Sequence, residues 1–568
     1  MTRGKPVVRV GVIHPVESYW LHWGPSEQTH AARQRLESQF SQITDWLLLG
    51  GVDFDFISES LLPSLNEKGS APLTVGEMAY DLVIVPGCET LRSTTVERLE
   101  AFHAAGGQLV FMGEAPSLVD ARPSSRGAEL YAAAAHIPFT QEAVMNAVAP
   151  VRMVDIRDRD GMQTSNRLHQ LREDADGLWL FVAQSGEPYN KDVPRRQDVQ
   201  IVVKGAYHVH LYDTQSGEIL PIRHETRGDK TIVHAALHDY DSLLLRFDQE
   251  EAGQPVAAAD KHYRRLPVPE LVDYTLHEPN VLLLDKAEFA LDDGEYDPAM
   301  ELLRADNVLR AKLGWPSRQG AVAQPWTVPE ELAEHHARLR FTIHADQFIS
   351  DAKLAMEDAA LAHITLNGET IPVRIDGWFV DKCIQTVALP ALREGANTLE
   401  ITLPITHRDG LEWCYLLGDF GVEIMGAHRT LTARREKIGF SDWVHQRLPH
   451  YTGNMTYRIP VHTQGGKLRV TAPHYRGAAI RVALDGQRQG YIVYSPYQLE
   501  MDAPAGEHEL QLTVLGHREN AFGPVHNADA QKRWIGPDIW RTTGASWTDS
   551  YRLAPMGLLS APVVEEEL

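Results

Sequence analysis

The hydrophobic rhythm of the chain changes near residue 150. Before that point, near-continuous apolar runs alternate with amphipathic stretches. Val7-Val8-Arg9-Val10-Gly11-Val12-Ile13, Val52-Asp53-Phe54-Asp55-Phe56-Ile57, residues 81–87 and residues 108–113 read as strands, and helical periods run over 28–49 and 95–105. Strands that are apolar on both faces belong to parallel sheets covered by helices. Residues 1–150 are therefore expected to form an open α/β layer. From about 151 the helical period fades, and short β-rich runs at 178–183, 199–204, 208–212, 231–236 and 242–247 are separated by polar turns. That spacing predicts an antiparallel β-sandwich over 151–250. Residues 251–325, with one apolar strand at 281–284 and a helix near 298–313, read as a structured connector. Two more β regions follow, over 326–430 and 431–568. Each carries a dipeptide suited to a tight hairpin, Asn367-Gly368 and Asp485-Gly486, because both tolerate positive φ. The stretch 326–562 is expected to fold without residues 1–150.

Composition narrows the partners. The 568 residues are 43% apolar and 23% charged, which is ordinary for a folded globular chain. Lys and Arg number 54 against 77 Asp and Glu, a net charge of −23, so nucleic acid and anionic membrane surfaces are disfavoured and neutral or cationic ligands remain open. The three cysteines, Cys88, Cys383 and Cys414, are too few and too scattered for a disulfide framework or a Cys-rich zinc site. Met-Thr-Arg-Gly-Lys-Pro runs straight into an apolar strand without an h-region, and no stretch reaches the ~18 apolar residues that cross a bilayer. A cytoplasmic protein is expected.

Two residue sets carry candidate chemistry. His14, Glu17, Tyr19, Trp20, His22 and Trp23 lie just past the carboxyl end of the first parallel strand, where open α/β sheets place ligands. Aromatic rings stack on the C–H face of a sugar while carboxylate and imidazole groups take its hydroxyls, so the set suits a carbohydrate; the alternative is packing against a neighbouring domain. The strand leads into His14-Pro15-Val16-Glu17 and not into a glycine-rich turn, so no dinucleotide is expected. The histidine spacing is not that of a zinc protease, and the acidic turn 291–297 departs from EF-hand spacing. No metal and no cofactor are expected. Glu412, Trp413 and Tyr415 form the second set, again mixing a carboxylate with aromatics, with interdomain packing as the alternative.

Several motifs resemble known families. Val85-Pro86-Gly87-Cys88-Glu89-Thr90, followed by Ala105-Gly106-Gly107-Gln108-Leu109-Val110-Phe111-Met112-Gly113-Glu114, resembles the class I glutamine-amidotransferase-like fold. That family's nucleophilic cysteine would sit at the elbow Met112-Gly113-Glu114-Ala115, which holds none, and Cys88 lies in an earlier loop. The resemblance thus implies a catalytically silent domain, since nucleophilic catalysis needs thiol, base and oxyanion site together. The same fold follows the catalytic barrel in some β-galactosidases, where it helps build the oligomer. Residues 4–20, from Gly4-Lys5-Pro6 to Ser18-Tyr19-Trp20, resemble the junction out of such a barrel in large bacterial glycoside hydrolases.

Ala362-His363-Ile364-Thr365-Leu366-Asn367-Gly368, Asp376-Gly377-Trp378 and the run 392–401 resemble the sugar-binding jelly roll of family-two glycoside hydrolases, and 477–486 with 506–510 repeats the theme. Asn280-Val281-Leu282-Leu283-Leu284-Asp285 and residues 291–297 resemble a strand and turn of rhamnosidase-type enzymes. These resemblances imply a multidomain α/β plus all-β chain: a flavodoxin- or amidotransferase-like domain, a β-sandwich, and two galactose-binding-like jelly rolls. The implied function is that of a part or subunit of a glycoside hydrolase with its catalytic barrel outside this chain. Its partners would be a carbohydrate, a barrel-bearing chain and further copies in an oligomer. A noncatalytic carbohydrate-binding or assembly protein is the alternative. Glycoside hydrolysis needs two carboxylates about 5–9.5 Å apart, and neither such a pair nor an eightfold βα pattern is legible, so no catalytic residue is assigned.

Overall fold

Five strands, Ala135–Ile137, Gln108–Met112, Leu82–Pro86, Val10–Ile13 and Phe54–Ile57, lie side by side in that order, each parallel to its neighbour. They form the sheet of the first of two compact units, Met1–Asp260 and Lys261–Leu568. The computed structural model describes residues 2–66, 68, 70–190, 193–248, 261–318, 327–529 and 536–568. Numbered along the chain, the strands run 2-1-3-4-5 across the sheet, so the winding reverses between the first strand and the third. Open α/β sheets hold their ligands outside the carboxyl ends of the strands at such a reversal.

Val10–Ile13 and Leu82–Pro86 are buried along their whole length, as their unbroken apolar sequence requires. Helices cover both faces: Ile13, Val83, Val85, Leu99 and Phe102 pack on one side, and Val10, Val12, Ile43, Leu47 and Ile84 on the other. Gly107 lets the chain turn from the helix Ser93–Ala104 into the strand Gln108–Met112, because a Cβ there would lie 2.1 Å from the ring of Phe102.

The rest of the first unit is a β-sandwich. A six-stranded sheet and a four-stranded sheet enclose Leu180, Val182, Leu245 and Phe247 from one side and Ile201, Val203 and Val233 from the other. Arg196–Lys204 buries every second residue in its inner part, the period-two pattern of a strand with one wet face. Lys5–Pro6, ahead of the parallel sheet, pairs with Arg167–Asp174 of this sandwich.

The second unit holds two further sandwiches whose chain segments interleave. Tyr263–Leu266 pairs with Val563–Glu567, and Leu271–Leu276 pairs with Met455–Thr463. These early strands therefore belong to the sandwich built otherwise from residues beyond 437. Four residues later, Asn280–Leu284 pairs with Cys414–Gly418 in the other sandwich. Lys286–Leu291, Asp297–Glu301 and the helix Leu302–Lys312 complete that sandwich together with the strands between 335 and 432. The return path also crosses: Ala521 and Val525 lie in the core of this sandwich, with Phe522, Trp540, Tyr551 and Leu553 against it.

The stretch expected as a connector is thus strand and helix of both sandwiches, apart from 251–260 and 319–326, which lie outside the described residues. Its alternation is hard to read because Asn280–Leu284 is buried on both faces and shows no period. The two dipeptides do make tight hairpins. Asn367 and Gly368 have φ of 53° and 84° between Leu366 and Glu369, and Asp485 and Gly486 have 50° and 80° between Leu484 and Gln487. Among the described residues, no helix is long and apolar enough to cross a membrane.

The interleaving overturns the expectation for 326–562. A fragment starting at 326 lacks Val281, Leu282, Leu283, Leu284, Phe289, Leu302 and Leu309, all buried in one core. At about 1.5–3 kcal/mol for each side chain, roughly 10–20 kcal/mol for the seven, that loss is as large as the roughly 5–15 kcal/mol by which a domain is stable. A fragment of 326–562 should be aggregated or molten, whereas 261–568 should melt cooperatively in calorimetry. Cooperative melting of the shorter fragment would refute this account of the core.

Candidate functional site

At the winding reversal, two loops leave the carboxyl ends of Val10–Ile13 and Leu82–Pro86. The first enters the short helix Val16–Leu21, and the second carries Gly87, Cys88 and Glu89. Ser18 locks them together. Its buried Oγ accepts the backbone N–H groups of Glu89 at 2.9 Å and Thr90 at 3.2 Å. Around this tie the charged side chains satisfy one another. Glu17 accepts from the guanidinium of Arg92, and Glu89 from Arg35 and from His22 Nε2, 2.7 Å away. Against the cost of burial, the hydrogen bonds from His22 and Arg35 hold the Glu89 carboxyl below its usual range.

Glu59, from the loop after Phe54–Ile57, lies buried beneath and accepts the Arg92 backbone N–H at 2.7 Å. Burial first, and the nearby charge of Glu17 as a lesser cause, push its carboxyl up to about 7, against the pull of the Arg92 N–H. Cys88 is buried too, and burial with Glu59 and Glu17 close by drives its thiol well above the ordinary value, which disfavours a nucleophilic thiolate. The elbow at Gly113 has φ of 81°.

The first candidate set thus divides. His14 packs edge-on against Phe40 at 5.3 Å and Phe56 at 5.6 Å, with burial lowering its pKa, so it belongs to the hydrophobic floor. Glu17 is ion-paired with Arg92. Tyr19 leans on Trp23, ring centroids 6.4 Å apart. Trp20 and Trp23 are 59% and 72% exposed, and the Arg33 guanidinium lies 5.4 Å from the centre of the Trp23 ring. Ser18, Arg35, Glu59 and Arg92 escaped the sequence reading. Glu89 stands in the motif after the third strand, and its position across the reversal from Glu17 is the one signal that would have paired them.

The second set is not a surface cluster. Trp413 is 8% exposed, and its Nε1 donates to Glu301 at 2.6 Å. Glu301 in turn caps the helix Leu302–Lys312 by accepting the N–H groups of Leu303 and Arg304. Tyr415 is buried between Phe379, at 5.3 Å, and Phe522, at 4.9 Å. Both aromatics are therefore packing residues, against the expectation of ligand contact, because Cys414–Gly418 is an interior strand and the crossing segment covers it. Glu412 keeps solvent access and accepts from Arg318 at 3.2 Å. Desolvation pushes its carboxyl up to about 7, with Arg318 opposing and Glu357 reinforcing the rise.

A node that the sequence reading missed lies deeper. Asp285 is fully buried and bonds to Arg429 Nη1 at 2.7 Å, His526 Nε2 at 2.5 Å and the Tyr551 hydroxyl at 2.6 Å. Burial alone would raise its carboxyl, but Arg429, then His526 and Tyr551, hold it well below the usual range. Fully buried His450 sits beside Tyr551, ring centroids 5.2 Å apart, and burial pushes it down to about 4. Among the described residues, no group of three or more His, Cys, Asp and Glu side chains is arranged to hold a metal ion.

No protein-family model matches the chain, and no curated protein matches it. Among solved structures it is similar to a rhamnosidase from Novosphingobium sp. PP1Y, at 13% identity over 99% of this chain and 39% of that one, with a TM-score of 0.48. An exo-carrageenase GH42 from Bacteroides ovatus matches at 13% identity over 43% of this chain and 29% of that one, TM-score 0.27. Alpha-L-fucosidase isoenzyme 2 from Paenibacillus thiaminolyticus matches at 11% over 44% and 50%, TM-score 0.28. These neighbours are glycoside hydrolases. The chain spans about two fifths of the length of the rhamnosidase, 39%.

Two substitutions test the buried charges. Because Glu59 titrates higher when folded than when unfolded, its contribution is full below about pH 4.5 and is lost as pH rises through about 7. Glu59→Gln should therefore stabilise the first unit at pH 8, by up to about 3 kcal/mol, and give little gain at pH 4.5. A gain that is the same at both values would refute the assignment.

In the second unit, Asp285→Asn leaves Arg429 and His526 buried without their anion and should cost about 3–5 kcal/mol in denaturant unfolding. His450, lower in the folded state than its ordinary 6.5, contributes stability above that value that is lost as pH falls toward about 4. Asp285, also depressed, adds stability that is lost only at lower pH. Glu412, raised to about 7, acts in the opposite direction over the same range, so the contribution of His450 is read as a difference: relative to His450→Gln, the 261–568 fragment should lose melting temperature between pH 6.5 and 4.5. A difference that stays flat over that range would contradict the burial of His450.

Proposed function

We propose that this chain is carbohydrate-active and forms the part of a glycoside hydrolase that lies outside the catalytic barrel. Its α/β layer serves as a silent amidotransferase-like domain, and its two interleaved sandwiches as galactose-binding-like jelly rolls. The observation that carries the reading is the shelf of Trp20 and Trp23 at the winding reversal of the parallel sheet. Two solvent-facing indoles offer stacking faces for the C–H side of a pyranose. The paired carboxylates and cations beside them, Glu17 with Arg92 and Glu89 with His22 and Arg35, offer donors and acceptors to its hydroxyls. The sequence motifs that resemble barrel-exit and sugar-binding segments support the same assignment. Proton transfer at the glycosidic bond is assigned to the two carboxylates of a barrel, the part that the barrel-exit resemblance of residues 4–20 implies. In this reading the chain works in the cytoplasm, within an oligomer.

Trp20 and Trp23 are exposed, so their removal separates binding from folding better than removal of ion-paired Glu17. Trp20→Ala and Trp23→Ala should each weaken oligosaccharide affinity by about 1–3 kcal/mol in calorimetry while the melting temperature stays put. Unchanged affinity in both variants would make the shelf a packing surface and remove the support for this reading.

A further inference from the structure

The five-residue strand Ile375–Phe379 closes one edge of a sheet in the second unit, paired on one side only, with Asp381–Ala388. Its construction is irregular. The register breaks between Ile375 and Gly377 and again between Trp378 and Phe379. The residue joining the two strands, Val380, has φ of 63° and is the one β-branched side chain at positive φ among the described residues. A β-branched residue in that region is strained, and bulges turn side chains away from regular alternation. The outcome of this geometry is specific. Phe379 is drawn inward against Tyr415 and Phe522, at 5.3 and 5.8 Å, and its neighbour Trp378 stands 56% exposed on the outside. Strain of this kind persists where surrounding structure over-determines it, and it concentrates at ligand contacts.

The surroundings of Trp378 fit a neutral, hydroxyl-rich ligand. Asp376 turns to the other face of the strand pair, where it accepts from the Thr386 hydroxyl at 2.6 Å and pairs with Lys353 Nζ at 2.7 Å, so it leaves no unmatched charge beside the indole. Gln385 flanks Trp378 across the strand pair and accepts the Ala360 N–H at 3.2 Å. Exposed Ile375 extends the apolar edge. The two register breaks disfavour in-register addition of a strand from another protein, because bulges are a means by which edges escape such pairing. The aromatic face remains as the contact.

We propose that Trp378 is the platform of a carbohydrate-contact site in the second unit, its indole stacking on a neutral pyranose while Gln385, its partner across the strand pair, bonds to a hydroxyl. The proposal rests on the carbohydrate reading for its ligand class and concerns a site separate from the Trp20 and Trp23 shelf.

The test is affinity electrophoresis of the full chain in gels carrying galactomannan, xylan or mixed-linkage β-glucan, with polygalacturonate as an anionic comparison. Wild type should be retarded by a neutral polysaccharide, and Trp378→Ala should weaken that affinity about fivefold or more, as loss of one stacking face predicts, with melting unchanged. Trp378→Phe should recover part of the affinity. On the unmodified chain, the same polysaccharide should slow oxidation of Trp378 by N-bromosuccinimide, read by peptide mass spectrometry, so the assignment does not depend on a variant folding. Wild-type retardation with Trp378 unprotected and Trp378→Ala unimpaired would overturn the proposal. If retardation is then lost in Trp20→Ala or Trp23→Ala, the reading of the chain as carbohydrate-active stands without this site. Retardation by polygalacturonate alone would overturn the neutral-ligand assignment, and no retardation of wild type by any of them would overturn both.

Discussion

A single buried carboxylate organises the second unit. Asp285 lies at the end of the strand Asn280–Leu284, and its three partners come from Arg429 and from His526 and Tyr551 on the crossing segment. A carboxylate out of water is tolerable only when cations and hydrogen bonds surround it. Burial of Asp285 therefore requires the crossing segment to lie against the first of the two sandwiches. With that segment in place, Phe522 can pack on Tyr415 and Phe379, which closes the apolar face beside the node. The strands are interleaved as well: strands 263–266 and 271–276 pair with 563–567 and 455–463, and the stretches 521–525 and 540–553 return to the sandwich of 281–431.

The first unit depends on a different constraint. A parallel sheet wound in both directions leaves loops on either side of its reversal, and here Ser18 bonds them together from within. Because those hydrogen bonds are internal, the loops present a set surface: ion pairs at the rim, a buried Glu59 underneath, and two indoles outside. Glu59 resists ionisation because burial, with the nearby charge of Glu17 added, outweighs the hydrogen bond that the Arg92 N–H donates to it. The charges are matched before any ligand arrives, so this end of the sheet offers exposed aromatic faces beside polar groups that carry no unpaired charge.

Local pattern along the chain determined a good deal. Unbroken apolar runs marked Val10–Ile13, Leu82–Pro86 and Gln108–Met112 as buried parallel strands, and Asn367-Gly368 marked its hairpin, because burial on two faces and tolerance of positive φ are properties of a few adjacent residues. The exposed state of Trp20 and Trp23 agrees with their polar setting beyond the first strand.

Tertiary structure alone decided the rest. Trp413 and Tyr415 have the composition of a sugar contact, yet a capping carboxylate and a crossing segment cover them, and the covering residue Phe522 lies over a hundred positions away. His526 meets Asp285 across 241 residues of sequence. Strands 263–266 and 271–276 look like a linker until their partners near 564 and 457 are known. Periodicity and turn chemistry act within a window of about ten residues. Which face of a strand is covered, and which charge is neutralised, depends on segments brought together from the far ends of the chain, and no local pattern records those encounters.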